Sequence, residues 1–574
     1  MNGKVFGARG KGVNPNNSSP CSQVGFFSNS AMQNTICIDF GTSNSSVYYY
    51  REGKLAHLDF DQGSWLLPSY VMYWTGQAVV GTAAMRSFGR ERCYVIAAVK
   101  RIMGLDYDEY MSYGDPNMFG CEVKRGDDGM PYFVVDEKGT LKSPIEVASE
   151  LFKAMKEQAE KRMWVKAEFA FITVPADYST PRVQAIQRAA EMAGLKVTKF
   201  IREPTAAALS WCIPNENRTR KGDKFLIYDF GGRTFDVSCI ECVGDYQFKV
   251  LSTKGLQGVG GNTIDSYLVE AVIEFMKKNG IPVINRLERE RIYHRKIREM
   301  RRRCEESKRI LIGGTAYAQD ESEYLKKNED QVMTIDFSGM IPGECDDVDE
   351  EEAECTIDLP KFDSIIEPLI NQTIDCVKEL LSELHLRPSD IGYVLMVGGS
   401  SKIHQTKRKM VELFPQSKFP DVEKESCVSY GAAVLLRSQY DKSSKVQVKD
   451  LLPCSFGLQC PTCVVLIVLK GDEIPCESSS FRVTMKGDEE YIETSICQYD
   501  GNVDEMRDMH YPLVNVINCK KVHAVKIHNP HPQRYKTLVF KLLVHEDGQL
   551  ELTCLDLSTG RMLESSVYSS LLIV

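Results

Sequence analysis

One unusual hairpin is written twice in this chain. The stretches "ICIDFGTSNSSVYYY" (36–50) and "FLIYDFGGRTFDVSCI" (225–240) share an apolar residue, Asp, Phe and Gly, followed by a turn closing on Thr, Ser or Arg. Each predicts a strand, a tight glycine turn and a second strand, with β-branched and aromatic flanks. The aspartates, Asp39 and Asp229, are 190 residues apart. Two distant copies of so specific a hairpin predict a duplicated domain whose two lobes face each other.

A third glycine turn follows an apolar strand in "GYVLMVGGSSKI" (392–403). The stretch before it, Lys361 to Leu386, sets Phe362, Ile365, Leu369, Val377, Leu380 and Leu384 at helical spacing. "AEFAFITVPADY" (167–178) reads as a buried strand stopped by a proline, and "PRVQAIQRAAEMAGLKV" (181–197) as an amphipathic helix ending near Gly194. Helix, strand and glycine turn in that order predict an α/β layer structure with a ligand at the strand ends.

A glycine turn lets backbone N–H groups approach phosphate oxygens with no Cβ in the way. Carboxylates beside a phosphate repel it unless a cation lies between, so Asp39 and Asp229 imply a hydrated Mg²⁺ bridging protein and polyphosphate. Aspartates are also common N-caps and turn formers; their recurrence in the same hairpin argues for the ligand. The "DFG" tripeptide also marks protein kinases, but here it occurs twice, and no His-Arg-Asp or Ala-Pro-Glu segment accompanies it.

With 574 residues, two or more domains are expected, and 43% hydrophobic with 26% charged residues is a globular composition. A net charge of −9 gives no reason to expect nucleic acid as a partner, and no apolar run is long enough to span a bilayer. Residues 1–35 read as a disordered Gly/Asn/Ser tail without the apolar core of a secretory signal. The 19 cysteines then read as reduced thiols of a cytoplasmic protein. Cys239 and Cys242 of "CIEC" lie in a strand, where positions three apart face opposite sides and cannot clasp one metal. Cys460 and Cys463 of "CPTC" could form a metal knuckle with Cys454 or Cys476, but no histidine stands at zinc spacing to either pair, so buried thiols are expected at both. The acidic run Glu344–Cys355 reads as a solvated inserted loop. Beyond residue 436 a polar linker (437–450) leads into short apolar runs with turn signals, including Asp547-Gly548 between two alternating stretches. Residues 451–574 therefore read as an all-β module, with no helical segment after its last strand.

At these motifs the chain resembles the seventy-kilodalton heat-shock chaperones of the actin/sugar-kinase ATPase superfamily. "IDFGTSNSSV", "VKRIMG", "VPADY", "REPTAAAL", "YDFGGRTFDVS", "GLQGVGGNTID", "CEESKRIL", "VGGSSKI" and "VSYGAAV" occur in that family's order. The resemblance implies a two-lobed, actin-like nucleotide-binding domain of duplicated ribonuclease H-like fold at 36–436 and a β-sandwich peptide-binding domain at 451–574. It implies ATP or ADP, Mg²⁺ and, as a further ion, K⁺. Asp39, Gly41, Thr42, Ser43 and Asn44 would form the first phosphate hairpin. Gly231, Gly232, Arg233 and Thr234 would form the second, with Gly260 and Gly261 beside it. Lys100 would position the γ-phosphate and attacking water, and Glu203 would orient water on the metal held by Asp39, Asp229 and Asp236. Glu305, Lys308 and Arg309 would line the adenosine, with Gly398, Gly399, Ser400 and Lys402 below it. Pro175 and Arg182, with Asp450, Leu451 and Leu452 of the linker, would couple nucleotide state to the β module. Unfolded or extended peptides, a J-domain co-chaperone and a nucleotide exchange factor are the implied partners. Taken singly, these residues also read as surface lysines, helix-end carboxylates and a charged helix face.

The chain departs from that pattern in several places. Arg233 stands where the family has a third glycine; a left-handed backbone there would cost about 1 kcal/mol, while its guanidinium could bind phosphate bidentately. Ile312 replaces a hydroxyl near the base and Glu425 an aspartate. The linker is compressed to "DLLPCSFGL", the "CPTC" loop is short, and the family's helical lid has no counterpart. Two readings follow: a lidless ATPase chaperone with slow hydrolysis, or a non-hydrolysing nucleotide-bound scaffold like the lidless ribosome-associated relatives. A small-molecule kinase of the same superfamily leaves the β module without a role.

Overall fold

The structure, a computed structural model, describes residues 33–568 apart from short segments, the longest being 113–118, 284–289, 315–327, 342–352 and 441–449. Two mixed sheets repeat one connectivity. In the first, β1 (Thr35–Asp39) and β2 (Asn44–Arg51) form an antiparallel hairpin extended by β3 (Lys54–His57), while β4 (Phe169–Val174) lies parallel to β1 and β5 (Lys196–Arg202) parallel to β4. The order is β5-β4-β1-β2-β3. In the second, β6 (Lys224–Phe230), β7 (Thr234–Gly244) and β8 (Gln247–Gln257) form the same meander, and β9 (Tyr393–Val397) lies parallel to β6. The counterpart of β5 is reduced to a single parallel bridge from Tyr393 to Lys418.

The strand sequences explain this placement. β9, "YVLMV", is buried throughout, as a strand covered on both faces must be. Val394 and Met396 enter one apolar core, while Tyr393, Leu395 and Val397 enter another. That second core also holds Cys37, Phe171 and Ile201 of the first sheet, together with α3 (Glu203–Cys212) and α7 (Cys427–Tyr440). Two helices are thus packed between the sheets. Their approach is close: a Cβ on Gly431 would lie 1.8 Å from the carbonyl oxygen of Ala206. Outside the first sheet pack α1 (Pro144–Met163) and α2 (Thr180–Met192). Outside the second pack α4 (Gly261–Lys278), α5 (Glu290–Gly314) and α6 (Leu359–Glu383).

α6 starts slightly before the expected Lys361, because Asp358 caps it by accepting from the Lys361 N–H and Pro360 suits the first turn. Two readings need correction. The acidic run is not all loop: Glu354–Asp358 is a strand paired with Val332–Asp336, and Cys355 is buried, while 344–352 lie outside the described residues. Nor does the polar linker begin at 437, since α7 continues to Tyr440 and buries Ser438.

From Asp450 onward the described residues form strands and turns. One sheet carries Ser455–Gln459, Cys463–Val468, Tyr491–Tyr499, Leu513–Asn515 and Lys520–His528; the other carries Cys476–Glu477, Phe481–Gly487, Gln533–Val544, Leu550–Asp556 and Arg561–Tyr568. Both sheets feed a common core that includes Phe456, Ile496, Phe540 and Leu552. The strands flanking Asp547-Gly548 pair antiparallel as expected, the dipeptide itself lying outside the described residues. Cys239 and Cys242 fall on opposite faces of β7, in separate cores. Among the described residues no cluster of His, Cys, Asp and Glu has metal-binding geometry, and no helix is long and apolar enough to cross a membrane.

Candidate nucleotide site

The two hairpins meet tip to tip. A Cβ on Gly232 would lie 2.8 Å from Ser43 Oγ, so the turn of one hairpin nearly touches the turn of the other. Gly41 is equally constrained: a Cβ there would sit 1.9 Å from the Asn44 carbonyl oxygen. The second turn is closed by the Gly231 N–H donating to Thr234 O at 3.0 Å. It is braced from α4, where the Gly261 and Asn262 N–H groups donate to Gly231 O and Gly232 O at 3.1 and 2.7 Å. Gly260 has extended backbone, and a side chain there would strike the Arg233 nitrogen and the Gly232 carbonyl oxygen, both 2.6 Å away.

Below the tips opens a cleft of about 710 Å³. It brings together Asp39, Lys100, Glu203, Asp229, Thr234 and Asp236 with the hairpin residues Gly41, Thr42, Ser43, Asn44, Gly231, Gly232 and Arg233. Gly261, Glu305, Lys308, Arg309, Gly398, Gly399, Ser400 and Lys402 line its other side, and Pro175 and Arg182 its rim. Gly260 stands behind the wall. Of the linker residues expected to couple the domains, Asp450–Leu451 pairs with Glu473–Ile474, and Leu452 is buried in the core of the β module.

Lys100 sits on a short 3-10 turn, Val99–Ile102, entered through Ala98 at a left-handed φ of 56°. A non-glycine residue there costs about 1–2 kcal/mol, of the kind stored where a side chain must be aimed. The turn carries Lys100 Nζ to 2.6 Å from Glu203 Oε1, with the two side chains 5% and 18% exposed. Glu203 opens α3, with Pro204 following in the first turn. Burial opposes the charge on Lys100, but Glu203, Tyr178 and Asp39 outweigh it and raise its pKa. The Lys100 carbonyl oxygen accepts from Tyr178 OH at 2.9 Å.

The carboxylates crowd. Asp229 and Asp236 face each other across the second hairpin. Burial raises Asp229 well above the usual carboxylate range, and Asp236, Glu203 and Asp39 push further. Asp236 is lifted to about 7 by burial, then by Asp177 and Glu203. Asp39 is also raised by burial, against the pull of Lys100 and of Thr173, which donates to it at 3.0 Å. One ammonium does not balance this set, and a divalent cation would. The Ser43 hydroxyl, buried and without a hydrogen-bond partner among the described residues, points to a polar ligand at the tips. Both observations fit a Mg-polyphosphate.

Arg233 is not left-handed, so the backbone cost expected for a side chain in that position does not arise. The residue spans the cleft. Its carbonyl oxygen accepts from Arg101 Nη2 at 2.9 Å, and its own Nη2 donates to Tyr70 OH at 3.4 Å. Turned to satisfy both its groups, the Asn262 amide accepts from Arg233 Nε at 3.2 Å. Arg182 Nη2 in turn donates to Arg101 O at 2.9 Å, and its guanidinium stacks 3.8 Å from the Tyr178 ring centre.

On the other wall Lys308 Nζ pairs with Asp265 Oδ1 at 2.6 Å and donates to Gly261 O at 2.9 Å. Burial lifts Asp265 to about 6. Glu305 and Arg309 pair along α5 at 2.8 Å, Ser400 Oγ donates to Gly231 O at 2.9 Å, and Lys402 Nζ meets Glu425 Oε2 at 2.7 Å. Sequence reading missed Arg101, Asp177, Asn262 and Asp265. Each stands inside or beside a quoted motif, but only the folded chain shows which residues of a motif face the cleft.

Two facing glycine hairpins over buried carboxylates, with Lys100 buried among them, define the class: an α/β protein built for a polyphosphate ligand, carrying an antiparallel β module. The chain matches the model of the family described as Hsp70 protein over residues 35–565, and it belongs to that family. Members are ATP-binding chaperones that use Mg²⁺ and bind unfolded peptides.

Proposed function

We propose that this chain is an Hsp70-family chaperone whose actin-like domain binds Mg-ATP and hydrolyses it slowly, modulating the grip of its β module on extended peptide segments in the cytoplasm. The observation that carries the reading is the buried Lys100–Glu203 pair, set among Asp39, Asp229 and Asp236 under the two hairpin tips. Asp39, Asp229 and Asp236 would hold the hydrated Mg²⁺. When bound, that ion neutralises phosphate charge and orders water. Lys100, kept protonated by Glu203, places a fixed positive charge beside the phosphates, where it stabilises negative charge in the transition state without reorganising. Thr234 and the backbone N–H groups of both turns supply neutral donors. Extended peptides would add backbone hydrogen bonds to strands of the β module. A J-domain co-chaperone and an exchange factor would act on the same cycle.

Arg233 does not oppose hydrolysis through a strained backbone. Its backbone is unstrained, and its guanidinium is tethered at the cleft mouth by Tyr70 and Asn262. Single-turnover hydrolysis of bound ATP by the native protein and by Arg233→Gly tests this. Hydrolysis by the native protein, slowed in the glycine variant, supports an arginine that helps hold phosphate. Binding without hydrolysis in the native protein, with hydrolysis restored by glycine, would establish the scaffold reading instead.

A further inference from the structure

The cysteines of this chain are mostly sealed in cores. Cys37, Cys239, Cys304 and Cys554 are fully buried, and burial holds their thiols well above the ordinary range. Cys460 and Cys463 differ. Expected as buried thiols, they are half-buried at the end of the hairpin formed by Ser455–Gln459 and Cys463–Val468, with solvent access. Gln459 faces Val464 in that hairpin, which sets Cys460 opposite Cys463, and the Cys460 N–H donates to Cys463 O at 2.8 Å. Facing residues at such a hydrogen-bonded position are about 5.5 Å apart between Cα atoms, inside the disulfide range of about 4.4–6.8 Å. Cys460 is held above its usual pKa by burial and then by Cys463.

We propose that Cys460 and Cys463 are a reversible dithiol–disulfide site closing the tip of this hairpin. Its co-reactant is a small-molecule disulfide such as glutathione disulfide. The Cys463 thiolate attacks one sulfur of the oxidant and expels one thiolate, which takes up a proton. The Cys460 thiol, losing its proton to solvent, then attacks the Cys463 sulfur and expels the second thiolate. The sum is two protein thiols and one disulfide giving one protein disulfide and two small thiols. Closing the ring removes freedom from the turn where the peptide-binding reading places the arch over its ligand. Only that last consequence rests on the proposed function; the chemistry does not.

The experiment equilibrates the full-length protein in glutathione buffers of graded oxidised-to-reduced ratio, quenches in acid, alkylates and maps the peptides by mass. The expected result is loss of both thiols together, with a two-hydrogen mass decrease in the peptide holding Cys460 and Cys463, reversed by dithiothreitol. Cys460→Ser should abolish closure and leave Cys463 alkylated or carrying one glutathione. The proposal is overturned if both thiols stay alkylated at every ratio, if they end only as glutathione adducts, or if either links instead to Cys454 or Cys476 of the same core. ATP hydrolysis is not read, so failure here leaves the nucleotide reading standing, and the reverse.

Discussion

Lys100 Nζ and Glu203 Oε1 lie 2.6 Å apart, both side chains largely withdrawn from solvent. One comes from a strained turn after the strand Tyr94–Ala97, the other from the helix packed between the sheets. The pair fixes a positive charge beside the hairpin tips. Lys100→Ala should lower single-turnover ATP hydrolysis about 10²–10³-fold, the scale of removing one fixed electrostatic group, while nucleotide binding persists. An unchanged rate in a folded variant would show that the lysine is only structural.

The acid cluster makes stability pH-dependent. Asp236 titrates at about 7 in the fold against about 3.9 when unfolded. The native state therefore holds more protons between those values, and stability falls as pH rises through that window. Thermal unfolding of the ligand-free protein should show Tm dropping from pH 5 to pH 7.5, and Asp236→Asn should flatten part of that drop. The sign reverses for the metal: Mg²⁺ dependence of nucleotide binding should strengthen as pH rises through about 7, because the ion needs the ionised carboxylate. A steeper Tm decline in the asparagine variant would contradict the assignment.

Gly41 tests the hairpin itself. Its added Cβ would lie 1.9 Å from a backbone oxygen, which cannot step aside as a side chain can. Gly41→Ala should destabilise the protein by about 1–3 kcal/mol and weaken nucleotide binding, measured by denaturant unfolding and equilibrium titration. Gly129→Ala, at a turn with nothing within 4 Å but a φ of 77°, is the comparison. It should cost stability without touching affinity.

Within the β module Lys536 and Asp556 pair at 2.8 Å with both side chains fully buried, and Lys536 also donates to Asn529 at 2.6 Å. Burial opposes the Asp556 charge, yet Lys536 and the Ser558 hydrogen bonds hold its pKa far below the usual range. Lys536→Met leaves that carboxylate buried and unpaired, which should cost about 3–5 kcal/mol. Thermal unfolding of the full chain would show an early transition. Replacing both partners, Lys536→Met with Asp556→Leu, should recover part of the loss.

Much of this arrangement was written in local sequence. The repeated hairpin predicted two like sheets because turn chemistry and alternating burial are short-range properties. The family motifs gathered the cleft residues in advance, and the opposite facing of Cys239 and Cys242 follows from the two-residue strand period. Tertiary structure decided what depends on distant partners. Leu452, placed by its sequence in a linker, is buried in the core of the β module, a place set by the strands around it. The end of the acidic run, read as solvated, became a strand because Val332–Asp336 offered it a ladder. Arg233 carried an expected backbone penalty that the fold avoids, and its carbonyl oxygen and guanidinium instead found Arg101 and Tyr70 across the cleft. Propensity and period act within a few residues, so the chain alone fixes its elements. Burial, charge balance and hydrogen-bond closure arise between residues far apart in sequence, and only the assembled fold sets them.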